Sequence, residues 1–110
     1  MSTLRNKVQL IGNLGSDPEI LNLDSGSKLA KFSLATNESY KNKNGERVTD
    51  TQWHNVVAWG KTAELIETYV TKGKEIAIDG KLTSRSYETA SGEKRYITEI
   101  VCNELVLLGK

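Results

Sequence analysis

Two tryptophans in one short segment, Trp53 and Trp59, are the residues of this sequence best suited to a binding chemistry. The Val56-Val57 pair between them predicts a β-strand, in which successive side chains alternate between two faces. The two rings then share one face, roughly 20 Å apart at about 3.3 Å per residue. Asn55 shares that face and gives it mixed polarity. Two interpretations stay open here: rings that stack on flat ligands, or tryptophans that fill a small core.

A second predicted strand places two cations and a ring on one face, in the order Lys81, Thr83, Arg85 and Tyr87. Single-stranded nucleic acid is bound by such surfaces, because cations follow the phosphates and rings stack on bases of any sequence. The alternative is an ordinary exposed strand face that happens to carry one tyrosine. Taken together with the tryptophan segment, this pattern favours an extended binding surface.

A basic loop near the middle of the chain adds a third element, with Tyr40 and Lys43 close to each other. The formal net charge is only +1, but a phosphate-binding surface needs a local excess of cations and not a high global charge. Residues 28–47 have that excess, with five basic residues against two acidic ones. A solvated lysine-rich turn is the alternative interpretation of this loop.

Catalysis and metal binding find little support in the sequence. His54 is the only histidine, and no spacing of metal ligands accompanies it. No serine or cysteine has an evident base partner, and the glycine-rich phosphate motifs are absent. We therefore predict a protein that is not an enzyme and needs neither metal nor cofactor. His54 alternates away from the tryptophans, which indicates a packed or interface histidine.

The predicted elements are three strands, one helix and two further strands, at residues 6–14, 29–39, 53–59, 62–72, 75–87 and 95–107. Residues 20–23 are a further short extended candidate. In the helix, Ala63, Ile66, Tyr69 and Val70 form the predicted apolar face, and residues 62 and 73 are candidate caps. This order predicts an all-β fold, the OB-fold, a five-stranded Greek-key barrel with one helix between strands three and four. Residues 1–110 form one domain.

The expected compartment follows from what the sequence lacks. Its apolar runs are far too short to span a membrane, and no signal peptide is visible. Cys102 is the only cysteine, predicted to be a small buried residue, which fits a reducing compartment. We expect a cytoplasmic protein without membrane contact.

Over nearly its whole length the sequence resembles the bacterial single-stranded DNA-binding protein family. Ordered matches are much more specific than any single one. The motifs are Asn6-Lys7-Val8, Gly12-Asn13-Leu14-Gly15-Ser16-Asp17-Pro18-Glu19, Leu34-Ala35-Thr36-Asn37-Glu38-Ser39, Trp53-His54-Asn55-Val56-Val57, Gly80-Lys81-Leu82, and Gly92-Glu93-Lys94-Arg95-Tyr96 with Thr98-Glu99-Ile100.

The resemblance implies an OB-fold that assembles as a homotetramer and coats single-stranded DNA during replication, recombination and repair, in association with the bacterial nucleoid. His54 matches a histidine at a subunit interface of the family. The stacking residues would be Trp53, Trp59, Tyr87 and Tyr40, although well-studied members carry tryptophan at the two tyrosine positions. The phosphate-contacting cations would be Arg5, Lys7, Lys43, Lys61, Lys72, Arg85 and Arg95, to which the strand pattern adds Lys81.

Two other functions are weighed against this one. The family commonly continues into a flexible tail with an acidic tip that recruits other proteins, whereas this sequence stops directly after the last predicted strand, so tail-mediated recruitment is not predicted. An OB-fold accessory of the primosome or of replication restart, acting mainly through protein contacts, is the first alternative. An OB-fold nuclease is the second, but its clustered carboxylates are missing.

Overall fold

Six strands and one helix make up the part of the chain that this computed structural model describes, residues 5–108. The predicted domain limits, residues 1 and 110, lie outside that part. All five predicted strands and the predicted helix are present, together with a short strand at the extended candidate near residue 20. The elements are β1 Val8–Leu14, β2 Glu19–Asn22, β3 Lys28–Lys41, β4 Arg47–Trp59, α1 Gly60–Tyr69, β5 Glu75–Glu88 and β6 Lys94–Leu107.

The strands close into the predicted five-stranded barrel. They follow the order β1-β5-β6-β4-β3-β2, and β1 also pairs with β3 through Asn13↔Ala35 and Leu14↔Leu34, which joins the two ends. All pairs are antiparallel except β4 with β6. Since β2 is a short extra strand hydrogen-bonded to β3, the helix follows the fourth strand of the chain and still precedes the last two.

Glycine is required where the barrel strands approach each other most closely. A Cβ atom on Gly12 would overlap the carbonyl oxygen of Ala35, and one on Gly80 would overlap that of Val101. The β5–β6 register shifts between Asp79 and Gly80, so this glycine lies at an irregularity of the strand. The two glycines therefore permit the strong coiling that closes a small barrel.

The helix covers one end of the barrel, and its limits differ from the prediction. It begins at Gly60 because a backbone φ of 61° at this glycine turns the chain directly out of β4, so no capping threonine is used. It ends at Tyr69, and the predicted C-terminal cap Gly73 lies in the turn that follows. Ala63, Ile66 and Val70 pack in the core.

The prediction that Tyr69 belongs to the buried face of the helix is wrong. Its side chain is 55% exposed, because Ala63, Ile66 and Val70 already occupy the stripe that faces the strands. No helix within residues 5–108 combines the length and the apolar character needed to cross a membrane. Cys102 is buried as predicted, and burial raises the pKa of its thiol to about 11.

Two hairpins extend beyond the core. The β3–β4 arm, residues 37–51, and the β5–β6 arm, residues 84–96, are almost entirely exposed on both faces. Each arm ends in a tight turn. At the first, the Asn42 side-chain oxygen accepts the backbone N–H groups of Asn44 and Glu46. At both tips a glycine with positive φ reverses the chain, as Gly45 and Gly92.

Asn6, predicted as the first residue of a strand, instead supports the strand beside it. Its backbone has a φ of 48°, and its side chain replaces a strand partner by accepting the Leu82 N–H at 2.9 Å and donating to the Leu82 carbonyl at 2.9 Å. The contact lies directly beyond the Val8↔Gly80 pair. It holds β5 at the point where the β5–β6 arm leaves the barrel.

We expect Asn6→Ala to lower the free energy of unfolding by about 1–2 kcal/mol, since two hydrogen bonds are lost and alanine tolerates a positive φ less well. Urea unfolding at one fixed protein concentration measures this change. Asn22→Ala, at an exposed position of β2, is the matched control and should change stability by less than about 0.5 kcal/mol. Equal stability of the two variants would contradict the bracing role of Asn6.

Candidate nucleic-acid interface

The strand register brings the two sequence patterns onto one face of the sheet. Val57 in β4 pairs with Lys31 in β3 and with Val101 in β6, and Val101 pairs with Lys81 in β5. Paired residues project to the same side of a sheet. By strand alternation this side, called the binding face below, carries Trp53, Asn55, Val57 and Trp59 from β4, and Lys81, Thr83, Arg85 and Tyr87 from β5.

The tryptophans do not fill the core. Trp53 is 61% exposed and Trp59 is 50% exposed, while Val56 and Ala58, which alternate with them, are buried. The second interpretation of this segment is therefore excluded. Both side chains project from a regular strand and leave half or more of their surface exposed to the solvent.

The ring of Trp53 packs against two small residues, Ala35 and Gly15, which are called its seat below. Trp53 pairs with Ala35 in β3, and its ring extends past this alanine to the turn after β1. A Cβ atom added to Gly15 would lie only 2.9 Å from Cη2 of the ring and closer still to Cζ3. The backbone N–H of Gly15 donates to the Ser33 carbonyl at 3.1 Å, which fixes the seat to β3. The ring is therefore held at its Cζ3–Cη2 end, while Trp53 as a whole stays 61% exposed.

Tyr87 and Tyr40 are about half exposed, one on each arm. Tyr87 follows Arg85 on the binding face and pairs with Arg95 across the β5–β6 arm. Tyr40 pairs with Val48 in the β3–β4 arm, and strand alternation places it on the opposite side from Trp53. The β5 tyrosine thus joins the tryptophan face directly, whereas Tyr40 lies beyond it on the other side of an arm.

A groove of about 280 Å³ crosses the binding face, and its floor holds a residue that the sequence patterns did not indicate. Glu99 is 7% exposed, the only charged residue that is buried within residues 5–108. Arg85 donates to it from Nε at 3.0 Å and from Nη2 at 3.2 Å. Hydrogen bonding to Glu99, followed by its negative charge, raises the pKa of Arg85. The sequence names Glu99 only as part of the motif Thr98-Glu99-Ile100, and no pattern relates it to Arg85.

The other predicted cations differ in their surroundings. Lys7 donates to Asp79 at 2.9 Å, and this hydrogen bond, with one from Gln9, lowers the pKa of Asp79. Arg95 pairs with Glu93 at 2.9 Å near the tip of the β5–β6 arm. Arg5 is exposed ahead of β1. Within the described chain no ion pair is formed by four further exposed cations, which are Lys43, Lys61, Lys72 and Lys81.

His54 projects away from the tryptophans, as predicted. It is half-buried, and its Nε2 lies 3.0 Å from the Thr36 hydroxyl oxygen. With Leu82 and Thr98 it lines a cavity of about 190 Å³ between the roots of the two arms. Its role at a subunit interface stays a prediction. No group of three or more potential metal ligands occurs within residues 5–108.

We expect Gly15→Ala to displace the Trp53 ring, because the added methyl group occupies the place of its Cζ3 atom. In a Trp59→Phe background Trp53 is the only tryptophan, so its emission maximum and acrylamide quenching report on it alone. Both should change, and Gly15→Val should change them more. Ser25→Ala, in the turn between β2 and β3, is the control. Identical spectra for all variants would show that the ring does not use this seat.

Comparison with known proteins gives a consistent result. A model of the Single-strand binding protein family matches residues 5–108. "Single-stranded DNA-binding protein 1" of Chlorobaculum tepidum is 45% identical over 105 residues, which are 94% of this chain and 65% of the relative's length. The protein of the same name from Xylella fastidiosa is 42% identical over 106 residues, which are 96% of this chain and 78% of that protein.

Solved structures agree with the fold. The chain is similar to a Plasmodium falciparum SSB solved in complex with ssDNA, with a TM-score of 0.88, 35% identity and 99% of both chains covered. It is also similar to a deletion mutant of the single-stranded DNA binding protein from Thermus aquaticus, with a TM-score of 0.80 over 94% of this chain and 50% of that one. At 24% identity this second likeness supports the fold alone.

Proposed function

Because the chain belongs to the single-strand binding protein family, we propose that it binds single-stranded DNA without sequence preference and does not act as an enzyme. The observation that carries this proposal is the single sheet face that presents Trp53, Trp59 and Tyr87 together with Lys81. Stacking suits such a function because every base has a π-face. The combination of stacking rings with a cationic path is the mechanism already known for OB-folds of this same family, and it is not a new one.

The bases would stack on rings that are already in position. Trp53 is held at the Cζ3–Cη2 end of its ring by its seat, so binding loses little side-chain freedom there. Stacking contributes about 1–3 kcal/mol per base in proteins of this kind. Trp59 and Tyr87 extend the surface in two directions from Trp53, and Tyr40 would engage a strand that passes around the β3–β4 arm.

The phosphates would follow the cations at the margins of this surface. Lys43 lies at the tip of one arm and Lys81 at the root of the other. Lys61 is in the first turn of α1, and Lys72 follows the helix. Arg5, Lys7 and Arg95 would add to this field, the last two in part offset by Asp79 and Glu93. Neutralising phosphates releases counterions, so affinity would fall as salt rises.

We further propose a homotetramer that coats exposed strands during replication, recombination and repair in the cytoplasm, at the nucleoid. In support, residues 8–12 of β1 pair only with β5 within the described chain, which leaves the other side of this strand available. Ile11 and Val106 are exposed apolar residues near that edge. Sedimentation or light scattering gives the mass, and a dimer would favour a replication-restart accessory instead.

Binding to oligo-dT should quench the tryptophan fluorescence, and Trp53→Ala should weaken affinity about 5- to 150-fold, which corresponds to about 1–3 kcal/mol for one stacked base. Tyr87→Ala should also weaken binding. Tyr96→Ala is its matched control, because Tyr96 is exposed on the opposite face of the same arm. Unchanged affinity in Trp53→Ala, with an intact fold by circular dichroism, would refute the stacking role.

The salt dependence tests the phosphate contacts separately. Lys81→Gln should make the log–log slope of affinity against salt shallower by about 0.7, the value for one phosphate on a single strand. Lys81→Arg keeps the charge and should keep the slope. A slope that is equal in the wild type and in Lys81→Gln would exclude Lys81 as a phosphate contact.

A further inference from the structure

Arg85, on the groove floor, differs from every other cation described near the binding face because it is paired with a buried carboxylate, Glu99. Both Nε and Nη2 of Arg85 donate to the two carboxylate oxygens of Glu99, so the guanidinium is fixed edge-on by two bonds. The Glu99 side chain is 9% exposed, while that of Arg85 is 54% exposed. The carboxylate is therefore enclosed, and the guanidinium faces the groove.

This pairing removes Arg85 from the set of cations that could follow a phosphate. The two charges cancel, so a phosphate at Arg85 would release no more counterion than at a neutral site. Moving the guanidinium away would leave a buried carboxylate without a partner, which is strongly unfavourable. Lys81 on the same strand face has neither restriction, because it is exposed and forms no ion pair within residues 5–108.

The charge of the whole groove points in the same direction. Besides Arg85 and Glu99, its charged lining consists of Asp17, Glu19 and Lys31, which gives three negative charges against two positive ones. Such a floor repels phosphate. The groove does offer a planar surface, the guanidinium of Arg85, and an apolar one, the side chains of Val57 and Ile97 beside it. A base fits these surroundings better than the backbone of a nucleic acid does.

We propose that the Arg85–Glu99 pair is a flat, charge-neutral seat for a base, and that Arg85 is a stacking residue and not a phosphate ligand. Bases stack on arginine planes as they do on aromatic rings. Tyr87 lies two residues farther along the same strand face, about 7 Å away, and continues the row of stacking groups. The inference rests on the proposed binding of single-stranded DNA.

The decisive variant removes both charges together, as Arg85→Ala with Glu99→Gln. No buried carboxylate is left without its partner, so the fold should persist, which circular dichroism and thermal unfolding verify. Affinity for oligo-dT should fall at least about fivefold, while the log–log salt slope stays at the wild-type value. A slope shallower by about 0.7, or an unchanged affinity, would overturn the proposal.

Glu99→Gln alone tests whether Glu99 neutralises the charge of Arg85. It leaves the guanidinium with its full charge in the groove, so affinity for oligo-dT should rise at low salt through long-range attraction, without the change of about 0.7 in slope that a new phosphate contact would bring. Equal low-salt affinity of Glu99→Gln and the wild type would mean that Glu99 does not cancel the charge of Arg85, and the proposal would be wrong. Arg85→Lys keeps the charge but loses the plane and the two-bond geometry, so it should weaken affinity; wild-type affinity in this variant would also contradict a stacking role.

The wild type and Lys81→Gln separate this inference from the function on which it rests. If the wild type does not bind oligo-dT, the proposed function itself is wrong. If the wild type binds and Lys81→Gln makes the slope shallower, while the double variant does the same, the function stands and Arg85 is a phosphate ligand after all.

Discussion

The register of β4 between β3 and β6 is the constraint on which the rest of the structure depends. Strand side chains alternate strictly, so a slip of one residue would turn every side chain of β4 to the other face. Burial of Val56 and Ala58 sets the register, and it is this burial that leaves Trp53 and Trp59 exposed. The exposed rings are thus a consequence of core packing one residue away.

Fixing the strands does not by itself fix the rings, and here small residues matter. Trp53 has room to lie across the sheet only because Ala35 and Gly15 leave space beneath it. A similar demand for space governs barrel closure, where Gly12 and Gly80 allow backbones to approach. Glycines at two positions therefore allow the barrel to close, and small residues at two others give the Trp53 ring the space to lie across the sheet.

Much of the fold could be predicted because it depends on local patterns. Alternation identified the long strands, and their order around one helix indicated the barrel. The helix limits were missed because they depend on the backbone of Gly60, and Tyr69 was misplaced because only the packed structure shows how wide the buried stripe is. The ring and cation positions on β4 and β5 were found from the sequence as two separate patterns.

Contacts between residues that are far apart in the chain could not be predicted from the sequence. Gly15 and Trp53 are far apart in the chain, and nothing local relates them. Arg85 matched the pattern of a phosphate-binding cation, yet its meaning depends on Glu99 in the neighbouring strand. The residue type and strand face of a cation predict that its side chain is exposed. Whether its charge is available to a phosphate depends on the ion pair that it forms.

On the proposed function, that distinction also explains how a chain of net charge +1 would bind a polyanion. Lys43, Lys61 and Lys72, which form no ion pair within residues 5–108, lie on an arm and at the two ends of the helix, while the groove lining carries three carboxylates against two cations. On the proposed function, this division orients the strand: phosphates are attracted to the margins and repelled from the floor, so the bases turn inward. Charge would then set which side of the DNA faces the protein, and the rings would supply the contact that holds it there.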